Sequence, residues 1–179
     1  MIWKWEKHKI TEYGSVFKQL TKDNIRYLLI GGVAAVLHGV PRVTGDVDLM
    51  LQMGSDNILK FVKSMKKLGY VPKVPVKPEE FADPKKRKEW QEEKNMLVFS
   101  YHNPDDPYST IDLMIDSPIE FEQAWGKRQV ISHWGTEISL ISLDDLIELK
   151  KIAGRDQDLS DIKLLNEIKR IKREQQTGI

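Results

Sequence analysis

Gly31-Gly32-Val33-Ala34-Ala35-Val36-Leu37-His38-Gly39-Val40-Pro41-Arg42-Val43-Thr44-Gly45-Asp46-Val47-Asp48-Leu49-Met50-Leu51 packs two glycines, a short apolar segment and a spaced pair of acids into twenty-one residues. Just before it, Ile25 to Ile30 is a short apolar run and predicts a buried strand. The glycine pair ends that strand, and Val33 to His38 predicts a short helix packed closely on the sheet. Val40 to Gly45, with Pro41, reads as a loop. Asp46 to Leu51 then alternates polar and apolar, which predicts a strand with Val47, Leu49 and Leu51 on its buried face. Glycine lets a backbone approach a bulky anion closely. A helix N-terminus presents unpaired N–H groups and a partial positive charge. Strand, Gly31-Gly32 and helix therefore make a phosphate cradle, although packing alone also produces such junctions.

Asp46 and Asp48 sharpen the reading. Residues i and i+2 of a strand share a face, about 6.6 Å apart at a rise of ~3.3 Å per residue. Two carboxylates so placed repel each other unless a cation sits between them. An all-oxygen ligand set suits Mg²⁺, which is held by carboxylates together with substrate phosphates. Two solvated acids on an exposed strand face are the simpler alternative, but the apolar face opposite puts this pair on a core strand. Asp112, in Ile111-Asp112-Leu113-Met114, is a lone acid at the start of another apolar strand. If that strand neighbours Asp46–Leu51, three carboxylates converge, enough to hold two ions ~3.5–4 Å apart. Asp116 is a rival, but its place after the strand fits a helix cap.

Outward from this centre, residues 12–23 predict a first helix through Tyr13, Val16, Phe17 and Leu20, and residues 55–68 a second that stops at Gly69. Tyr70 to Val76 reads as an edge strand, since Pro72 and Pro75 cannot donate ladder bonds. The charged segment 78–94 reads as an exposed helix. Met96–Tyr101 and Thr110–Ile115 predict strands separated by a turn-rich loop over 102–107, followed by a short helix at 118–125. Two strands, 128–132 and 136–141, join through Trp134-Gly135. Ser142 is a helix cap with Asp145 in the capping-box position. That helix runs to Ala153 and stops at Gly154, and a last helix covers 158–173. The order of elements implies an α/β (α+β) fold with a central mixed sheet flanked by helices. The expected division is a core over 1–142 and a C-terminal helical segment over 143–179 packed on it as one unit.

The 179 residues are 40% hydrophobic and 31% charged, which fits a globular domain rather than a disordered or fibrous chain. Cysteine is absent, which excludes disulfides, thiolate metal sites and a cysteine nucleophile and agrees with a reducing, cytoplasmic setting. No stretch reaches the ~20 apolar residues of a membrane span, and the charged N-terminus lacks a signal-peptide core. The net charge is +1, so attraction to nucleic acid would have to come from local patches such as Lys85–Lys88 or Lys169–Arg173, which also read as solvated helix faces.

Gly-Gly, thirteen residues, Asp-x-Asp and a distant apolar-Asp-apolar strand together resemble the DNA polymerase β-like nucleotidyltransferase superfamily. The finer pattern Arg42-x-Thr44-x-Asp46-x-Asp48-Leu49 and the block Leu143 to Ile162, LDDLIELKKIAGRDQDLSDI, resemble the small bacterial nucleotidyltransferases related to AbiEii, the toxin component of abortive-infection systems. The resemblance covers residues 24–165. It implies that Gly31 and Gly32 hold a nucleoside triphosphate and that Asp46, Asp48 and Asp112 hold Mg²⁺ or Mn²⁺. It also implies transfer of a nucleoside monophosphate to an acceptor hydroxyl on tRNA or another RNA, a protein or a small molecule. An antitoxin is an implied partner. Many superfamily members carry Gly-Ser where this chain has Gly31-Gly32, so one hydroxyl that would touch a phosphate is missing. A catalytically inactive nucleotide- or partner-binding module on the same fold is the alternative.

Other candidates each have a structural reading beside the functional one. Thr44 either meets a phosphate or fixes its loop. Arg42 either reaches a phosphate or pairs with an acid. Lys150 and Lys151 either bind the triphosphate or favour a helix C-terminus. Arg155, Asp158 and Asp161 read as structural or supporting, with the acids locking Arg155. His38 reads as packing at a helix end. Trp3, Trp5, Trp90, Trp125 and Trp134 read as packing residues before base-stacking ones.

Overall fold

The structure, a computed structural model, describes residues 13–177, so Trp3, Trp5 and the first residue of the expected N-terminal helix lie outside the described residues. A helix over 13–22 (α1) buries Tyr13, Val16, Phe17 and Leu20, the four positions its periodicity selects. It is followed by β1 (Tyr27–Ile30), α2 (Gly31–His38), β2 (Val47–Leu51) and α3 (Ser55–Lys67). Next come β3 (Val71–Pro72), a 3₁₀ turn (Pro78–Ala82), α4 (Pro84–Lys94), β4 (Val98–Asn103) and β5 (Asp106–Met114). The chain closes with α5 (Phe121–Lys127), β6 (Gln129–His133), β7 (Thr136–Leu140), α6 (Leu143–Ala153) and α7 (Asp156–Thr177).

Among the described residues the strands form one seven-stranded sheet in the order β3-β4-β5-β2-β1-β7-β6. The β2–β5 and β1–β7 pairs are parallel and the rest antiparallel, so the sheet is mixed, as expected. Alternation along the central strands gives one face to Tyr27, Leu29, Leu49, Leu51, Phe99, Tyr101, Ile111 and Leu113, all buried. Phe17 of α1 packs on Tyr27 and Phe61 of α3 on Tyr101, while Phe81 and Trp90 stack on Phe99. Helices α2, α6 and α7 pack against one another as a second group.

Three expectations need correction. The segment 78–94 is not one exposed helix. It breaks at Asp83-Pro84, where the Asp83 side chain accepts from the Lys85 N–H and Pro84 takes the first helical position, and it buries Phe81 and Trp90. The edge strand after Gly69 is only Val71–Pro72, because prolines interrupt the ladder beyond it. The turn-rich loop over 102–107 is mostly strand. β4 and β5 form a hairpin closed at Pro104-Asp105, where Asn103 Oδ1 accepts from the Asp105 N–H at 2.9 Å.

Local chemistry fixes the other joints. Trp134 and Gly135 both have positive φ, at 50° and 70°, as a two-residue turn between antiparallel strands requires. The Ser142 hydroxyl caps α6 by accepting from the Asp145 N–H at 3.1 Å. His38 donates from Nε2 to the Ile141 carbonyl at 2.9 Å, and burial pushes its imidazole below the ordinary range, so it is a neutral packing group. The basic patches face their own acids: Lys86 pairs with Glu89, Lys88 with Glu92, Arg170 with Glu174 and Lys169 with Asp144. Among the described residues no helix is long and apolar enough to cross a membrane.

Candidate active site

The site lies where β1 passes into α2. No loop intervenes: Ile30 ends the strand and Gly31 begins the helix with φ +70°, a conformation side chains rarely adopt. A Cβ on Gly31 would lie 2.0 Å from Asp48 Oδ2, and one on Gly32 would lie 2.4 Å from Thr44 Oγ1. Each glycine therefore leaves room for a particular polar side chain from the following segment. The Gly32 N–H donates toward Asp48 Oδ2 across 3.4 Å. The Tyr13 hydroxyl donates to the Gly45 carbonyl and ties α1 to the residue before Asp46.

Parallel pairing of β2 with β5 sets Asp48 directly beside Asp112. Asp46 lies one residue before β2 and is exposed, so it adds its charge from the mouth of the site rather than from within the strand. Burial, followed by the charges of Asp112 and Asp46, pushes the Asp48 carboxyl up to about 6, against the opposing Gly32 N–H and Arg155. Asp112 is also raised, first by burial and then by Asp46, with Ser100 and Lys73 opposing. Asp112 Oδ1 is buried without a hydrogen-bond partner among the described residues. An unpaired buried acceptor of this kind costs ~1–3 kcal/mol.

These features fit a divalent cation. The donor set is all carboxylate, the charges are mutually repulsive, and a buried oxygen lacks a partner. Among the described residues no three acids or imidazoles are already drawn into a cage, and Asp48 Oδ2 accepts from the Gly32 N–H. Asp48, Asp112 and Asp46 are the residues that would hold the ion. Asp116 is exposed beyond the end of β5.

The remaining candidates divide. Thr44 sits over Gly32 with no hydrogen bond to fix its loop among the described residues. Arg42 lies beside Gly32, its Nη2 3.4 Å from where a Cβ would be, and its Nη1 donates to Asp161 Oδ2 at 2.6 Å. Lys150 points elsewhere: its ammonium is buried between Asp158 Oδ1 at 3.1 Å and Asp161 Oδ2 at 2.7 Å. The Lys151 ammonium faces Glu148. Trp90 is buried, Trp134 stacks on Phe17, and Arg128 lies over Trp125, so these rings serve packing.

Beyond Asp112 the sheet face opens. Ser100 pairs with Asp112 and His102 with Thr110, while Val98, paired with Met114, is 43% exposed. Lys73 reaches in from the edge, donating to Thr110 Oγ1 at 3.1 Å. Ser100, His102 and Lys73 escape a reading of the sequence. Ser100 is signalled only by strand alternation, and Lys73 by nothing, because it arrives through edge pairing.

No protein-family model matches the chain, and no significant match exists among curated proteins. Solved structures do match. The chain is similar to the lincosamide antibiotic adenylyltransferase LnuA, solved with lincomycin bound, at a TM-score of 0.59 and 16% identity over 88% of this chain and 96% of that one. It is similar to ANT(2")-Ia, solved with adenylyl-2"-tobramycin, at 0.55 and 14% over 96% and 98%. An antigenic nucleotidyltransferase-like protein from Paracoccidioides brasiliensis matches at 0.54 and 19% over 90% and 75%. At such identities the likeness establishes the fold, and the fold is that of nucleotidyltransferases.

Proposed function

We propose that this chain is a metal-dependent nucleotidyltransferase, and the observation that carries the reading is the pairing of Asp48 with Asp112 beside the Gly31-Gly32 turn. The N–H groups at the start of α2 would hold the donor triphosphate, with Arg42 beside them. Asp46, Asp48 and Asp112 would hold Mg²⁺ or Mn²⁺, which supplies charge neutralisation at the phosphates and a more acidic acceptor hydroxyl. Asp112 adjoins the open sheet face and would take the proton of the acceptor hydroxyl. The acceptor oxygen then bonds to the α-phosphorus, the bond to the β-phosphate oxygen breaks, and pyrophosphate leaves.

The acceptor is a hydroxyl on tRNA or another RNA, on a protein or on a small molecule, lying along β4 and β5. The structures of LnuA and ANT(2")-Ia bring small molecules into the range. The AbiEii-like sequence pattern supports a toxin acting on RNA, opposed by an antitoxin. A cytoplasmic location accords with a nucleoside triphosphate donor.

The test incubates the protein with each labelled nucleoside triphosphate, Mg²⁺ or Mn²⁺, and either total RNA or lysate. Label should enter a product in the wild type and not in Asp46→Ala/Asp48→Ala. Product that persists in the double variant overturns the assignment. Binding of Mg²⁺ and triphosphate with no turnover on any acceptor would favour a nucleotide-binding module instead.

A further inference from the structure

Beneath the Gly32 turn, three cations share two carboxylates. Lys150, Arg42 and Arg155 all bond to Asp158 or Asp161, and both acids are 1% exposed. The cluster therefore carries a surplus positive charge. Lys150 is committed, because moving its ammonium toward a ligand would strip both buried acids of a partner. Arg155 is placed differently. Its side chain is 75% exposed, and Asp158 holds only one edge of the guanidinium, accepting from Nε at 2.7 Å and from Nη2 at 3.4 Å. Nη1 has no hydrogen-bond partner among the described residues. The Arg155 charge is also felt at Asp48, where it opposes the rise that burial causes.

We propose that Arg155 is a ligand for the β- and γ-phosphates of the donor, pinned by Asp158 and joined to Arg42 through the Asp158–Lys150–Asp161 ion pairs. This rests on the nucleotidyltransferase reading. Arg155 itself and the buried Lys150 together hold the Asp158 carboxyl below its ordinary range against burial, and Asp158 in turn orients the guanidinium. The free edge of Arg155 then offers the paired N–H donors that suit phosphate oxygens. Arg42 is held in the same way: Asp161 takes Nη1, leaving Nη2 beside Gly32. Arg42 thus lies beside the helix N-terminus where the phosphates would lie, and Arg155, anchored on the neighbouring buried acid, belongs to the same ion-pair cluster. When pyrophosphate leaves, its added charge falls on these groups.

The experiment measures binding of Mg²⁺ with ATP, GTP, CTP and UTP, and with the matching monophosphates, by calorimetry on the 179-residue wild type, Arg155→Ala and Arg155→Lys. Arg155→Ala should weaken the preferred triphosphate about 10-fold, the loss of a charge-assisted contact, and leave its monophosphate unchanged. Arg155→Lys should restore part of the loss; the thermal midpoint of Arg155→Ala should fall as well, because the buried Asp158 Oδ2 loses its partner, so the difference between triphosphate and monophosphate is the readout. Equal loss for tri- and monophosphate, or no loss, overturns the role of Arg155 and leaves the transferase reading standing. A wild type that binds none of the four triphosphates overturns both.

Discussion

Replacing Asp48 by Asn removes a charge that the protein without bound cation has to bury. The unfolded chain releases this proton near 3.8, whereas the folded chain keeps it until about 6. Above that range the folded state carries the full penalty, and below 3.8 both states are protonated and the penalty is gone. Asp48→Asn should therefore stabilise the metal-free protein at alkaline pH, by roughly 3 kcal/mol for a carboxyl raised about two pH units, and lose the advantage as pH falls. Urea unfolding of both forms at about pH 8 and about pH 4 checks this, and a gain that grows on acidification would refute it. Added Mg²⁺ should raise the wild type and not the variant. The acid pair and the glycine pair are legible in the sequence as spacing. What spacing does not show is that Gly31 makes room for Asp48 and Gly32 for Thr44, because those approaches depend on how the loop over 40–46 folds back.

At the level of elements, the α6–α7 corner is held by Lys150 between Asp158 and Asp161. Lys150→Met keeps most of the side-chain volume but leaves two buried carboxylates supported, among the described residues, by Arg42, Arg155 and Gln157. A loss of about 3 kcal/mol is expected from breaking a buried pair in this way. Denaturant unfolding measures it, and a change below about 0.5 kcal/mol would mean the bonds are idle. The two helices themselves are legible: Ser142 caps the first and Gly154, with φ +63°, stops it. Lys150 reads from the sequence as a phosphate ligand or a helix-end charge, because its partners lie on the next helix and only the turn at Gly154 brings them to it. The same limit applies to β4 and β5. The turn residues of 102–107 are visible, but cross-strand pairing extends β5 back to Asp106.

For the whole molecule, the C-terminal helices α6 and α7 both pack against α2. Leu146 and Leu165 are fully buried, Asp161 bonds to Arg42, and Ile168 packs at Gly39. A chain ending at residue 142 should consequently fail to fold, and the full chain should unfold in one transition. Circular dichroism melts of the two test this, and cooperative melting of the shorter chain would show an independent core. The mixed sheet could be anticipated from the order of elements. Its strand order could not, and neither could the adjacency that brings Asp112 to Asp48 from a distant segment.

That adjacency has a consequence for how the chain reaches its native form. In a parallel pair, a slip of one residue turns every side chain of a strand to the other face. With β5 slipped against β2, Asp112 would swing to the side where Phe61 and Phe99 pack, and Leu113 would come out beside Asp48. An isolated buried charge is far more costly than a misplaced methyl group. Asp48 and Asp112 thus also proofread assembly: a molecule that closes its sheet in the wrong register is penalised as it folds.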